Sequence, residues 1–217
     1  AITQDGTALW PEQRPLEWLE EQRSELLPAD WSALYMCEPV ADGSRIFKDA
    51  TYYDHLPEGG YRIGHGFDAA YTAKTSADAT VTISGRLVGE KIYVTNLLHD
   101  RLEPMHYIPL MKAAGVDRVT WYRSGTERGL EELLKREGIQ VNALTATTDK
   151  LSRAIPAATA WNRGDILLPK SAPWTPQVES ELSQFTGQGD KHDDIVDALA
   201  ALHHALVGGR QHHFDIL

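Results

Sequence analysis

The chain has 217 residues, 42% of them hydrophobic, and its 31 acidic and 21 basic side chains give a formal charge of −10. This length is sufficient for one sizeable core with an extension, and the negative charge argues against a protein that holds nucleic acid by bulk positive charge, so any contact with DNA must be local. The single cysteine, Cys37, excludes an internal disulfide framework and a multi-cysteine zinc site and fits a reducing cytosol. No apolar run approaches the roughly 20 residues of a membrane span. The start at Ala1, without Met, predicts a fragment of a longer protein.

Residues 1–58 are predicted to form a connector or arm and not a domain. A short amphipathic helix is expected over Pro15–Leu27, after which glycines and prolines interrupt the chain and leave room for one edge strand. The aromatic side chains of the arm are expected to pack against the following domain and not to bind bases; they are Trp10, Trp18, Trp31 and Tyr35.

Residues 59–217 are predicted to form one α/β domain. Three neighbouring strands come first, in YRIGHGFDAA, DATVTISGRLVG and EKIYVTNLLHDRLE, with a glycine-containing turn at Gly85–Gly89. Helices and strands then alternate, over Met105–Gly115 (helix), Asp117–Tyr122 (strand), Thr126–Gly138 (helix), Ile139–Leu144 (strand), Lys150–Asn162 (helix), Asp165–Leu168 (strand), Gln177–Phe185 (helix) and His192–Val207 (helix). This order predicts a mixed sheet, antiparallel over its first three strands and parallel afterwards, flanked by helices.

Three aspartates stand at the start of the last predicted helix. Asp194 and Asp197 lie one turn apart, with Asp193 beside both. One interpretation makes Asp193 or Asp194 a helix cap and leaves Asp197 solvated. However, Asp197 lies between Val196 and Ala198, where the helix should already be packing, so its carboxylate needs a partner. A metal ion is an obvious one.

A fourth aspartate, Asp68, ends the first predicted strand. Sites in α/β sheets form beyond strand ends, and the last helix could pack across this one. Carboxylates from the strand and the helix could then share two divalent cations that clamp the attacking and leaving oxygens of a phosphodiester. Oxygen ligands without cysteine favour Mg²⁺ or Mn²⁺. The alternative is an ordinary strand-end aspartate.

Several segments, in their order and spacing, resemble a known family. They are ALWPEQ, DWSALYMCEPV and IFK in the arm, followed by GFDAAYTAKTSADATVTISG, DKLSRAIPA, GDILLP, and ELSQF with HDDIVDAL. Together they cover most of the chain. They resemble the C-terminal nuclease domain of the large terminase subunit of tailed double-stranded DNA bacteriophages.

The resemblance implies a ribonuclease H-like fold and a metal-dependent endonuclease that cuts concatemeric viral double-stranded DNA during genome packaging. Two Mg²⁺ or Mn²⁺ ions would hydrolyse the phosphodiester with little sequence preference. The implied partners are an ATPase domain preceding the arm in the same polypeptide, the portal and the small terminase subunit, in the host cell cytoplasm and without a membrane. The isolated domain is expected to be a monomer.

Carried over by position, Asp68 resembles the first-strand metal ligand of the family and Asp194 the acid of the last helix. Asp197 matches a further acidic position, and Asp193 is an additional candidate ligand. Relatives usually place a third acid at the end of the fourth strand, but the segment WYRSGTERG offers Tyr122, Arg123 and Ser124 there. Glu127 is the nearest carboxylate that could replace that acid, although a glutamate at a helix start is equally well explained as a cap. This departure bears on the affinity for the second ion.

Three basic residues are candidates for contact with DNA phosphates. Lys150 and Arg153 are three residues apart on a predicted helix and could point the same way, as the DKxxR segment of the family implies, and Lys74 lies in the loop after Asp68. The alternative for the pair is a solvated helix face. No GxxxxGK[ST] motif is present, so the chain cannot be the ATP-hydrolysing motor by itself.

Other functions stay open at this point. The altered end of the fourth strand also suits a catalytically weakened, nuclease-like guide or docking module of the packaging motor. A resolvase-like nuclease with the ribonuclease H fold would show sequence or junction selectivity and a dimer interface. An acidic cation-binding protein unrelated to nucleic acid would bind Mg²⁺ or Ca²⁺ and ignore DNA.

Overall fold

A computed structural model describes residues 1–3, 6–26, 31, 34–37, 45–69, 79–123, 128–187, 190 and 193–208. Its strands are β1 (Thr51–Tyr53), β2 (Arg62–Asp68), β3 (Thr80–Val88), β4 (Lys91–Asp100), β5 (Arg118–Arg123), β6 (Gln140–Thr145) and β7 (Ile166–Pro169). Its helices are α1 (Leu16–Glu25), α2 (Pro104–Ala113), α3 (Arg128–Arg136), α4 (Lys150–Asn162), α5 (Thr175–Gln184) and α6 (Asp194–Val207). No helix within these ranges is long and apolar enough to cross a membrane.

The seven strands form one mixed sheet in the order β1-β7-β4-β3-β2-β5-β6. Strands β2, β3 and β4 are antiparallel neighbours, β5 and β6 continue parallel to β2, and β7 and β1 continue parallel to β4. The predicted mixed α/β sheet is therefore confirmed. The predicted turn at Gly85–Gly89 was too long, because Gly85 lies inside β3 at a shift in its register with β4, and only the Gly89 end forms the turn.

Helix α6 lies against β2 with almost no space between the two backbones. A Cβ atom added at Gly66 would lie 1.8 Å from the Ala198 carbonyl oxygen and 2.5 Å from the Leu202 backbone nitrogen. Only glycine allows such an approach of helix to strand. The contact places the first turn of α6 beside the end of β2, two residues after Gly66.

Two hydrophobic cores cover the two faces of the sheet. Helices α4, α5 and α6 pack on one face, where Ile83, Trp161 and Leu199 are buried. Helices α2 and α3 cover the other, where Phe67 and Trp121 stack at 5.3 Å between ring centroids. Because successive strand residues alternate between faces, Gly66 meets α6 and Phe67 fills the opposite core.

Part of the predicted arm belongs to the same folded body. Strand β1 pairs with β7 at the edge of the sheet, and Phe47 is fully buried. Among the aromatics expected to pack against the domain, Trp31 is buried and stacks on Tyr35 at 4.6 Å, but Trp10 is 65% exposed. The boundary near residue 58 stays a prediction.

Candidate active site

Asp68 is the last residue of β2, an interior strand that lies between the antiparallel strand β3 and the parallel strand β5. Burial raises the pKa of its carboxyl well above the usual range, and the neighbouring Asp197 and Asp194 raise it further. The protein therefore disfavours a negative charge on Asp68 unless a cation balances it. The strand-end aspartate and the acids of α6, predicted to meet, are brought together.

Asp194 connects the start of α6 to the start of β3. Its Oδ2 accepts a hydrogen bond of 3.0 Å from the backbone N–H of Ala79, and the residue is only 7% exposed. This contact fixes the carboxylate beside the strand next to β2.

Glu181 of α5 caps the N-terminus of α6. Its Oε1 accepts hydrogen bonds from the backbone N–H groups of Ile195, at 2.6 Å, and Val196, at 3.3 Å. Burial raises the pKa of this carboxyl to about 7 even though both hydrogen bonds oppose the shift. Asp193, at the cap position, makes no capping hydrogen bond through its side chain. Asp193 is therefore the N-cap residue by position, as predicted, but the capping hydrogen bonds come from Glu181 on another helix.

Lys150, the first residue of α4, bridges two of the aspartates. Its Nζ lies 2.6 Å from Asp193 Oδ1 and 2.8 Å from Asp197 Oδ2. Burial alone would lower the pKa of Lys150, but the attraction of Asp197 and Asp193 outweighs it and raises the pKa. The lysine is thus firmly charged and lies among the acids.

Arg153, one turn later, forms part of the wall of the site. Its Nη2 lies 3.3 Å from Asp197 Oδ1, and its Nη1 donates to the Thr148 carbonyl oxygen at 2.8 Å. The guanidinium lies 5.4 Å from the centre of the Tyr122 ring, and its side chain is 14% exposed. Both oxygens of Asp197 are therefore engaged by cations. The assignment of Lys150 and Arg153 to DNA binding stays a prediction, but their charged groups face the acids.

The end of β5 lacks the acid that the family resemblance implies, as the sequence indicated. Tyr122 is half-buried there, and the Arg123 guanidinium pairs with Glu131 of α3 at 3.1 Å. Glu127 and Lys74, the other sequence candidates, lie outside the described residues.

The donor chemistry suits a hard divalent cation. Asp68 and Asp194 offer carboxylate oxygens, the ligands that Mg²⁺ and Mn²⁺ prefer. In the described part of the chain, no three histidine, cysteine or acidic side chains form a ready-made ligand set.

A family model for the "Terminase RNaseH-like domain" matches residues 66–206, which include the whole site. The chain belongs to this family. Membership supports a nuclease role in viral DNA packaging. No curated protein matches the chain.

Solved structures share the fold of this terminase domain. The large terminase nuclease of thermophilic phage G20c has 18% identity and a TM-score of 0.53, covering 71% of this chain and 92% of that one. A zinc-bound structure of the same nuclease has a TM-score of 0.52 at 18% identity, with the same coverage of 71% and 92%. The large terminase of a second thermophilic bacteriophage has 16% identity and a TM-score of 0.59 over 86% of this chain, which spans about half, 51%, of that protein.

Sequence reasoning missed Glu181, which caps the helix that carries the acids of the candidate site. One signal was available: Glu181 lies next to Leu182 and three residues after Val178, both buried, so its carboxylate projects near the apolar side of α5. A carboxylate in that position needs a hydrogen-bond donor. Its donors belong to another helix, 14 and 15 residues further along the chain.

Proposed function

We propose that this domain is a metal-dependent endonuclease that cuts concatemeric viral double-stranded DNA with little sequence preference. The observation that carries the proposal is the meeting of Asp68, at the end of β2, with Asp194 and Asp197 on α6, which raises the pKa of the Asp68 carboxyl. Strongly perturbed carboxyl groups that converge from separate elements are typical of catalytic sites.

Asp68 and Asp194 would hold the divalent cation, Mg²⁺ or Mn²⁺. When bound, the cation supplies a Lewis acid for the phosphodiester and lowers the pKa of a bound water. The structure of the G20c nuclease with bound zinc supports a divalent cation in this fold. The chain's own contribution is to fix the Asp194 carboxylate through Ala79 and through the capped start of α6.

The proposal includes a second divalent ion, which would need carboxylate ligands besides Asp68 and Asp194. Asp193, Asp197 and Glu127 are the sequence candidates. A second ion at Asp197 would have to displace the ion pairs with Lys150 and Arg153.

The packaging context is also proposed. Lys74, Lys150 and Arg153 would contact phosphates, while an ATPase domain of the same polypeptide, the portal and the small terminase subunit would hold and position the duplex in the host cell cytoplasm. This chain spans about half, 51%, of the large terminase of the second thermophilic bacteriophage. That difference in length supports the presence of further domains in the whole protein.

Incubation of purified protein with supercoiled plasmid tests the function. We expect cutting with Mn²⁺ or Mg²⁺, none with EDTA, and none with Asp68→Asn or Asp194→Asn. Manganese should raise the melting temperature of the wild type, because a bound cation stabilises the folded state. It should not raise the melting temperature of a variant that carries both Asp68→Asn and Asp194→Asn. Without metal, each variant should melt at or above the wild-type temperature, since it removes like-charge repulsion.

Asp117→Asn is the matched control, because Asp117 is exposed and precedes β5 at the opposite edge of the sheet. It should cut as the wild type does. Cutting in EDTA, or full activity in both Asp68→Asn and Asp194→Asn, would show that other groups perform the reaction.

The altered end of β5 favours one competing function, a nuclease-like docking module that no longer cuts. Such a module would bind duplex DNA and gain thermal stability from Mn²⁺, yet leave the plasmid intact at every metal concentration. The same assay separates the two.

A further inference from the structure

Strands β5 and β6 continue the sheet beyond Asp68, and part of their surface beside α6 is open to solvent. We propose that this open surface binds the backbone of the DNA strand that is cut, on one side of the reacting phosphate. The proposal rests on the proposed nuclease function and specifies the direction in which its substrate crosses the protein.

The open surface lies on the same face of the sheet as the candidate site. Thr120 of β5 pairs with Gly66, which meets α6, and side chains two residues apart on a strand share a face. Tyr122 therefore stands on the face and at the level of Asp68, and its ring lies 6.3 Å from that of His204 on α6, between centroids. The side chains that β5 and β6 place on this face are Arg118, Thr120, Tyr122, Gln140, Asn142 and Leu144.

The lower part of this face forms a groove beside α6. Thr120, Gln140 and Asn142 line a cleft with Ala205 of α6, and Gln140 and Asn142 are exposed. From the spacing of strands and of residues along them, Asn142 lies on the order of 12 Å from Asp68. A strand of duplex DNA covers that distance in about four nucleotides, at about 3.4 Å each. One strand can therefore reach both the acids and the groove.

The charge of this groove differs from that of the chain as a whole. The formal charge of the chain is −10, yet the side chains of β5 and β6 on this face include the cation Arg118 and no carboxylate. Asp117 also borders the cleft, but alternation along the strand assigns it to the opposite face, with Val119 and Trp121. Acidic surfaces repel a polyanion. The groove therefore offers DNA a path without repulsion that is continuous with the candidate site.

The polar groups of the groove suit a sugar–phosphate backbone. Each side-chain amide carries two N–H donors, and Asn142 directs one of them to Thr120 Oγ1, at 3.4 Å. Gln140 Oε1 accepts from Arg118 Nε and Nη2, at 3.0 Å and 2.5 Å, so its amide nitrogen points away from the guanidinium. Amide and guanidinium donors bind phosphate oxygens without reading the base sequence. The groove is therefore suited to DNA of any sequence.

Substitutions that add a carboxylate to the groove test this path. Asn142→Asp keeps the size of the side chain, and Gln140→Glu would form an ion pair with Arg118 and neutralise it. Each should weaken binding of a labelled duplex, measured by fluorescence anisotropy, at least about tenfold, because like charges repel the phosphates. In plasmid cutting with Mn²⁺ the loss should appear in KM and not in kcat, since the groove holds ground state and transition state alike.

Gln177→Glu is the matched control. It adds the same charge to an exposed position of α5, the helix whose Glu179 hydrogen-bonds Tyr52 of β1, at the other end of the sheet. It should match the wild type in both measurements. Wild-type affinity in both groove variants would overturn the path and leave the nuclease function standing. A loss confined to kcat would also overturn it, because the substitutions would then act on the acids.

A wild type that binds the duplex but does not cut it with Mn²⁺ or Mg²⁺ would overturn the nuclease function. The duplex affinities of the two groove variants would still decide whether DNA lies in the groove. Gln140→Glu decides the matter by itself if circular dichroism shows that Asn142→Asp does not fold.

Discussion

Glu181 shows how one side chain outside the acid cluster organises it. By accepting the N–H groups of Ile195 and Val196, it satisfies donors that a helix start leaves without intrahelical partners. Because Glu181 supplies these hydrogen bonds, the Asp193 carboxylate does not cap the helix and pairs with Lys150 instead. The arrangement of the acids thus depends on a contact between α5 and α6.

Glu181 should make the stability of the domain depend on pH. Its pKa is about 7 in the folded state against an ordinary value of 4.5, so the folded protein retains a proton that the unfolded chain loses. The stability that Glu181 contributes is complete below about pH 4.5 and is lost as the pH rises through 7. Glu181→Gln keeps an acceptor oxygen without the charge, so its melting temperature should rise relative to the wild type between pH 5 and pH 8.

Glu181→Ala provides the comparison. It leaves two backbone N–H groups without their acceptor and should cost about 0.5–2 kcal/mol of unfolding free energy, the range for loss of a helix cap. A constant difference between Glu181→Gln and the wild type across this pH range would show that Glu181 does not titrate there. The pKa of Asp68 is also raised, but Asp68 is present in all three proteins, so its titration does not distinguish them.

From the sequence, the convergence of the acids was easier to predict than their partners. Asp68 and Asp194 could be found because a strand end and a helix start are local features that also match a family pattern. The spacing of Lys150 and Arg153 showed that they share a helix face, but spacing does not reveal what that face meets. That face meets Asp193 and Asp197, more than 40 residues away. Such long-range partners are decided by packing.

At the scale of elements, the crossing of α6 over β2 determines whether the site exists. Gly66 allows the helix backbone to approach, and Gly64 leaves room for Leu206, whose Cγ would lie 2.8 Å from an added Cβ. A side chain at Gly66 would meet the backbone of α6, push the helix outward and separate Asp194 from Asp68, whereas one at Gly64 would meet only the side chains of Leu206 and Leu202. Gly66 therefore affects the candidate site although it is not one of its acids.

Gly66→Ala should lower the free energy of unfolding by several kcal/mol, because the added Cβ meets backbone atoms that cannot move aside. Denaturant unfolding would measure the loss, and metal-dependent cutting should fall with it. Gly129→Ala is the control, since its Cβ meets no atom within 4 Å in the described chain. In α3 it should be neutral or stabilise by about 0.5–1 kcal/mol. Equal stabilities for the two variants would contradict the close crossing.

Most elements were predictable because their patterns are local. The helix over Lys150–Asn162 was predicted with the bounds it has, and the strands near their observed limits. The turn at Gly85 was misplaced for a physical reason. Glycine usually indicates a turn, but here it lies in β3, where an added Cβ would come within 3.1 Å of Leu202 on α6 and 3.2 Å of Ile92 on β4. Local rules cannot distinguish a glycine kept for packing from one kept for a turn.

For the molecule as a whole, charge limits how the domain handles DNA. The formal charge is −10, and the cations nearest the acids are already paired with them. Long-range attraction to a polyanion is therefore poor. We propose that other parts of the packaging motor hold the duplex and raise its local concentration at the nuclease.

Duplex binding by this chain should be weak, with little dependence on sequence. If Lys74, Lys150 and Arg153 are the only phosphate contacts, the slope of log affinity against log salt should be no steeper than about −3, at roughly −0.9 per contact. Fluorescence anisotropy with Asp68→Asn, which should not cut, measures this slope. Lys150→Ala with Arg153→Ala should flatten it further. Tight binding with a steep slope would place the DNA path on another surface.

The pairing of β1 with β7 has a consequence for how far the chain can be shortened. Phe47 packs against Trp161 and Phe185, and the Trp161 Nε1–H donates to the Lys48 carbonyl oxygen at 2.9 Å. A chain beginning at residue 59, the predicted domain boundary, would lose these contacts and leave the apolar strand β7 with an open edge. Open edges recruit strands from other molecules. Such a chain should self-associate in light scattering, whereas one beginning at residue 45 should stay monomeric. A monomeric, stable chain from residue 59 would instead support the predicted boundary.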